Sequence, residues 1–272
     1  MLLASLVFVP FLGSILAALM PQDARNHESW LAIGVTVYGL VIGSMLFPQI
    51  SSGEVLREEF AWLPEQGLDL VLRVDGLAWV FAMLVLVIGL LVVLYARYYM
   101  SPEDPVPRFF SFLLAFMGSM LGVVLSGNLV QLVVFWELTS LTSFLLIGYW
   151  HHRADARRGA RMAFTVTATG GLCLLAGVLV IGHIVGSYDL DVVLAAGDVI
   201  RNHDLYLAAL VLVALGALTK SAQFPFHFWL PHAMAAPTPV SSYLHSATMV
   251  KAGVFLLVRL WPALAGTPEW TW

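Results

Sequence analysis

The sequence predicts an all-α polytopic membrane protein with about eight transmembrane helices, and three observations lead there. The first is composition: of 272 residues, 60% are hydrophobic and only 11% charged, and the mean hydropathy is +0.87. A soluble domain carries about 25% charged and about 45–50% apolar residues, so this chain has more apolar surface than a water-soluble core can hide. The second is a series of apolar runs of about 17–25 residues, the length that crosses a bilayer core. The third is that a few ionisable residues fall inside those runs. The net charge of −4 and the lack of a long basic run exclude a nucleic-acid partner. The single cysteine, Cys173, lies in an apolar run as a small buried hydrophobe, so no disulfide framework or Cys-based metal site is available.

The expected spans are 2–20, 29–47, 76–98, 107–126, 128–149, 159–184, 205–223 and 239–261. The first lacks the positive n-region and short apolar run of a secretory signal, so it is expected to be a retained helix, not one cleaved before Gln22 or Ala24. Pro21 with Asp23 marks the next turn, Ser101-Pro102-Glu103-Asp104-Pro105 closes the third span, and Gly127-Asn128 divides the fourth from the fifth. Pro107 suits the first turn of its helix. The segment 48–75 is the longest polar stretch. Its end, Leu68 to Asp75, alternates polar and apolar residues and predicts a short extramembrane strand or hairpin. No soluble domain is expected.

Arginine placement orients the chain, because cytoplasmic connections collect positive charge. With the N-terminus outside, the inner side holds Arg25, Arg97, Arg108, Arg153, Arg157, Arg158 and Arg161. The outer side then holds Arg57, Arg73, Arg201 and Arg259. Eight spans would put both termini outside a multi-pass bacterial inner-membrane protein.

Both lysines and one glutamate lie inside spans: Glu137 in 128–149, Lys220 late in 205–223, and Lys251 in 239–261. Each charge near mid-bilayer costs about 2.5–3.5 kcal/mol, so such residues face a protein interior and carry a role. A Glu–Lys pair could simply glue helices. Two lysines against one glutamate leave an odd positive charge, and a lysine that alternates between charged and neutral passes a proton on.

Pro225 follows Lys220 by five residues. It cannot donate a backbone hydrogen bond and its ring clashes with the carbonyl of Ser221, so the seventh helix is expected to break there. Broken helices near the midplane recur at ion sites in transporters, although a kinked helix used only for packing is the alternative. His227, His232 and His245 follow, and a histidine either relays protons at physiological pH or holds structure by hydrogen bonding. On a continuous helix His245 and Lys251 would stand about 9 Å apart along the axis and about 120° apart around it. His151 and His152 belong to the Arg-rich connection and are expected to be solvated. Gly170-Gly171 permits close helix packing. No metal site or nucleotide loop is written in the sequence.

The stretch from Lys220 to Lys251, KSAQFPFHFWLPHAMAAPTPVSSYLHSATMVK, resembles the signature of the antiporter-like proton-translocating subunits. Those occur in respiratory complex I, in membrane-bound hydrogenases and in multisubunit Mrp or Pha-type cation/proton antiporters. Phe135-Trp136-Glu137-Leu138-Thr139-Ser140, with Phe109 to Asn128, looks most like the large A subunit of the Mrp type. The likeness runs through the chain and is weakest at 48–75 and 184–204.

The resemblance implies that Glu137 and Lys220 form a coupled pair and that His245 and Lys251 continue a hydrated path that carries protons. It implies no redox cofactor on the chain, other small and large membrane subunits as partners, and Na+ and H+ as the ions handled within the lipid bilayer. The family core has two inverted repeats of about five helices each. The expected division is residues 1–106 for three N-terminal helices with the 48–75 loop, 107–262 for the first repeat, and 263–272 for a tail. The second repeat has no match here, so a piece of a longer chain or a subunit completed by another polypeptide is expected. The activity implied is that of a transporter component and not an enzyme. A proton-pumping subunit of complex I or a hydrogenase, and a non-transporting assembly subunit, are the alternatives.

Overall fold

A computed structural model describes residues 1–21, 25–63, 68–101 and 103–271. Two helices, α1 (Leu2–Ala18) and α2 (Arg25–Ser51), lead into a hairpin of β1 (Leu56–Leu63) and β2 (Leu68–Val74). Then come α3 (Gly76–Tyr99), α4 (Val106–Leu125), α5 (Leu129–Ile147) and α6 (Ala154–Val185). Two short helices, α7 (Leu190–Ala195) and α8 (Gly197–Arg201), precede α9 (Tyr206–Lys220). The chain continues through α10 (Trp229–Ala233), α11 (Thr238–Ser242), α12 (Met249–Arg259) and α13 (Trp261–Leu264).

The protein is thus mostly helical and multi-pass. Among the described residues, five helices, α2 to α6, are long and apolar enough to cross a membrane, and α1 and α9 are shorter apolar helices. That differs from the eight full spans expected. The 15 residues of α9 reach only about 22 Å at 1.5 Å per residue, short of a hydrocarbon core of about 30 Å. The expected span 239–261 is not one helix. α11 passes into a π-helical turn, Tyr243–Ala247, and α12 begins only after Thr248. The Thr248 hydroxyl donates to the Tyr243 carbonyl at 2.6 Å, five residues back. A side chain inserted into the backbone ladder in this way is a common origin of such bulges. The axial distance and phase expected between His245 and Lys251 therefore do not apply.

α4 is the centre of the bundle, buried on almost every side, with α1, α3 and α5 packed round it. α6 packs against α5, α9 and α10. Large apolar side chains such as Trp30, Met45, Leu91, Leu172 and Val211 point outward, the surface a bilayer or an apolar partner would cover.

Short polar side chains start the helices by accepting free first-turn N–H groups. Asp75 accepts from the Ala78 amide at 2.9 Å, Asn128 from Val130 at 2.9 Å, and Asp189 from Asp191 at 2.9 Å. The hairpin expected in 48–75 is present, antiparallel, with an irregularity between Phe60 and Leu63. It docks on the α4–α5 turn, where the Gly127 amide donates to the Val71 carbonyl at 2.8 Å. α2 runs through Pro48 to Ser51, beyond its expected end. α6 starts at Ala154, so Arg157, Arg158 and Arg161 stand on its opening turns and not in a connection.

The arginines sort into the two ends that their sequence positions predict. Arg57, Arg73 and Arg259 join one network of ion pairs with Asp75, Asp189 and Asp191. Arg201 donates to the Pro262 carbonyl at 2.8 Å beside the same end. At the other end Arg108 donates to the Tyr149 carbonyl, Arg157 to the His151 carbonyl at 2.8 Å, and Arg97 lies over the Trp30 ring. The expected turn and cleavage points at Gln22–Ala24, the Arg25 side chain and Pro102 lie outside the described residues.

Candidate functional site

Lys220 closes the last turn of α9, and its side chain has no solvent exposure. Its ammonium donates to the Trp136 carbonyl at 3.0 Å and to Ser140 Oγ at 2.7 Å, and stands 5.2 Å from the centre of the Trp136 ring. Both acceptors are neutral groups of α5. The Trp136 carbonyl also accepts from Thr139 Oγ1 at 2.7 Å. An ion buried in this way survives only where donors and acceptors replace the lost water.

Glu137 lies on the same helix, one residue beyond Trp136. No ion pair within 4.0 Å joins it to Lys220 among the described residues, and the two interact through space. Glu137 Oε1 is buried and has no hydrogen-bond partner. It lies over Gly171 of α6, where a Cβ would come within 1.5 Å of it. Gly170, beside it, faces Thr219 of α9, whose Oγ1 would sit 1.8 Å from an added Cβ. The Gly170-Gly171 pair therefore brings helices close, as expected, and also makes the space for the carboxylate.

The chain break begins at the lysine. α9 ends at Lys220, and Ala222 takes φ +50°, a left-handed conformation that non-glycine residues adopt rarely. Pro225 follows a cis peptide bond and precedes a short 3-10 turn, Phe226–Phe228. So the helix is interrupted from Ser221 onward, ahead of the break that Pro225 alone would impose. The freed carbonyls are caught locally. Gln223 N donates to the Leu218 carbonyl at 3.0 Å and Trp229 Nε1 to that of Thr219 at 2.9 Å. Ser221 Oγ ties the break to α12 by donating to the Val250 carbonyl at 2.7 Å.

His245 sits in the π-helical turn. Both ring nitrogens are buried without a hydrogen-bond partner, and the ring centre is 6.0 Å from that of Trp229. Tyr243 in the same turn anchors it by donating to the Val85 carbonyl at 3.0 Å. Lys251 points to the outside of the chain from the first turn of α12. The fold thus brings Glu137 and Lys220 together across α5, α6 and α9, sets His245 against Trp229 of α10, and leaves Lys251 on the surface. His227, stacked on Phe224 at 5.9 Å, and His151, His152 and His232 are exposed.

One buried acid was not anticipated. Glu28, in the first turn of α2, is fully buried and neither carboxylate oxygen has a hydrogen-bond partner. The Tyr149 hydroxyl is also buried and unpartnered. The only sign of Glu28 in the sequence is a lone carboxylate at the start of an apolar helix, which reads equally well as a favourable charge at a helix N-terminus.

At the hairpin end, ahead of α3, Asp75 accepts from Arg73 at 2.6 Å and from Arg259 Nη2 at 2.8 Å, while Arg73 Nε donates to Asp191 at 2.7 Å. Burial pushes the Asp75 carboxyl up, but the Arg259 and Ala78 hydrogen bonds, the Arg259 charge and the Arg73 hydrogen bond outweigh it and hold it far below the ordinary carboxylate range.

Residues 126–272 match the family described as "NADH:quinone oxidoreductase/Mrp antiporter, TM". Residues 62–110 match "NADH-Ubiquinone oxidoreductase (complex I), chain 5 N-terminus". The chain is 65% identical over its whole length to the A/B subunit of a probable K(+)/H(+) antiporter of Rhizobium meliloti, covering 27% of that protein. It is 45% identical over 97% of its length to the A subunit of the Na(+)/H(+) antiporter of Alkalihalophilus pseudofirmus, covering 33% of it. Among solved structures, the Mrp complex of Dietzia sp. DQ12-45-1b contains a chain 36% identical, with a TM-score of 0.83 over 99% of this chain and 28% of that one. A membrane-bound sulfane sulfur reductase shares the fold, at 22% identity and a TM-score of 0.83 over 97% of this chain and 41% of its own. The chain therefore spans about a third or less of the curated relatives it matches. With more than half of its length inside one family match, the chain belongs to the NADH:quinone oxidoreductase/Mrp antiporter transmembrane family, and it resembles part of the A subunits of the Mrp type.

Proposed function

We propose that the chain is a proton-relaying part of a multisubunit monovalent cation/proton antiporter, and that Glu137, Lys220, His245 and Lys251 carry the protons. The observation that supports it most is the setting of Lys220. A structural lysine at this depth would be clamped by a carboxylate, but here the ammonium rests on a carbonyl and a hydroxyl, with the nearest acid beyond contact. Such a lysine can stand charged or neutral without rebuilding the packing. Glu137 sets the balance from a distance. Beyond 4 Å and at an effective dielectric of about 20, two unit charges interact by less than about 4 kcal/mol, enough to favour the ammonium when Glu137 is ionised and to release it when Glu137 is protonated. The unpartnered carboxylate oxygen and the interrupted backbone after Lys220 are places where water can enter.

In this reading residues 107–262 are the first of two inverted repeats, preceded by the helices and hairpin of 1–106 and followed by the tail 263–272. Na+ or K+ is the exchanged cation, other membrane subunits complete the path, and the chain acts as a transporter and not an enzyme. The network of Arg57, Arg73 and Arg259 lies outside a bacterial inner membrane and the N-terminus with it.

The test is cation-driven proton movement in everted vesicles carrying the whole complex. Glu137→Ala and Lys220→Ala are expected to abolish it while the subunits still co-purify. Full exchange in both variants refutes the relay, and loss of co-purification alone points to an assembly role.

A further inference from the structure

Where α4, α5 and α6 meet at the arginine-rich end lies a cavity of about 390 Å³. It is lined by the polar side chains of Arg108, His151, Arg157 and Arg161 and by the rings of Phe112 and Phe144. No Asp or Glu lines it among the described residues. Arg157 and Arg161 stand one turn apart on α6, where like charges repel. Arg157 spends its donors on the His151 and His152 carbonyls, whereas no partner holds Arg161 among the described residues. Arg108 is fixed from behind through the Tyr149 carbonyl and ring, yet its Nε is buried with no hydrogen-bond partner. The opposite end of the molecule matches its arginines with carboxylates; this cavity gathers three without one.

From this geometry we infer that the cavity binds the phosphate of an anionic phospholipid, its headgroup held by Arg108, Arg157 and Arg161 and its acyl chain laid over Phe112 and Phe144. A guanidinium fork suits a phosphate oxygen pair, and the phosphate relieves the repulsion between Arg157 and Arg161. The two rings come from α4 and α5, helices long and apolar enough to span a membrane, so a ligand with both an anionic head and an apolar tail fits the lining where a free anion leaves the aromatic part uncovered. Basic pockets between membrane helices take lipid headgroups in this way. The site is separate from Glu137 and Lys220 and does not depend on their role.

The experiment titrates short-chain phosphatidylglycerol, phosphatidylcholine and inorganic phosphate into the full protein, purified with its partner subunits in detergent, and follows the thermal unfolding midpoint. Phosphatidylglycerol is expected to stabilise saturably, phosphatidylcholine not at all, and phosphate only at concentrations at least about tenfold higher. Arg157→Gln/Arg161→Gln should weaken the phosphatidylglycerol response about 30-fold, and Arg158→Gln, outside the cavity, should not. If the double variant does not fold, Arg161→Gln alone, at an exposed side chain, should still weaken it several-fold. Equal responses to phosphate and phosphatidylglycerol would make it a free-anion site and overturn the lipid assignment. An unchanged response in the variants overturns the location, and no response in the wild type, as when a partner subunit fills the cavity, overturns the inference outright.

Discussion

The chain handles buried charge in two opposite ways. At the hairpin end, Asp75 lies between Arg73 and Arg259, whose side chains are 8% and 5% exposed, and Asp191 and Asp189 extend the chain of pairs to Arg57. Every group there touches its opposite, and four separate parts of the chain are tied together: the hairpin, the start of α3, the start of α7 and the end of α12. In the middle of the bundle, Lys220 is more deeply buried than either arginine, yet it touches no carboxylate, and Glu137 leaves an oxygen unpartnered over Gly171. Matched pairs fix a geometry. A charge supported by neutral acceptors can be lost and regained, and under the proposed function that difference separates a staple from a relay.

Four substitutions and one pH shift probe this contrast, beginning with the largest effect. Asp75→Ala strands the buried Arg259 guanidinium, takes one of the two carboxylates from Arg73 and removes the α3 cap. It should destabilise the protein by about 3–5 kcal/mol in reversible unfolding in mixed micelles; a change under about 1 kcal/mol would mean that the network is ornamental. Gly171→Ala forces a methyl into Glu137 Oε1 and should cost about 1–3 kcal/mol in the same measurement, with proton exchange reduced as well. Trp229→Phe keeps the ring against His245 but deletes the bond to the Thr219 carbonyl, for about 1 kcal/mol. Lys220→Met, similar in length, should alter stability by less than about 1 kcal/mol, because no carboxylate in contact with the ammonium loses its partner.

Acid should act on the staple. The folded carboxyl groups of Asp75 and Asp189 lie below their ordinary value of 3.8, held down against burial by their arginines. A depressed carboxylate contributes stability that is complete above the unfolded value and fades as pH falls through the folded one. Unfolding free energy should therefore hold steady from about pH 7 to about 5 and decline below about 4. Asp75→Asn should flatten the decline, and a decline as steep as in the wild type would remove the network as its cause.

Much of this contrast was legible beforehand, and the exceptions share a cause. Periodicity and length marked α2 to α6, alternation marked the β2 side of the hairpin, and arginine positions sorted the two ends, because these signals are local. The fate of 239–261 was hidden because a single Thr248 hydroxyl diverts the backbone, and composition looks the same either way. Ala222 at φ +50° ends α9 before Pro225 can, although nothing in alanine itself advertises that. Glu137 and Lys220 stood out as charges in apolar runs, but their lack of contact depends on Gly171, Thr219 and Ser140 from three helices. Glu28 passed unnoticed because its burial comes from the packing around it.

The central claim is that Lys220 carries protons and does not hold the bundle together. The direct measurement is Lys220→Met assayed in one preparation for unfolding free energy and for cation-driven proton exchange in vesicles. The account predicts stability within about 1 kcal/mol of the parent and exchange lost. Retained exchange, or a loss of stability comparable to that of Asp75→Ala, would contradict it.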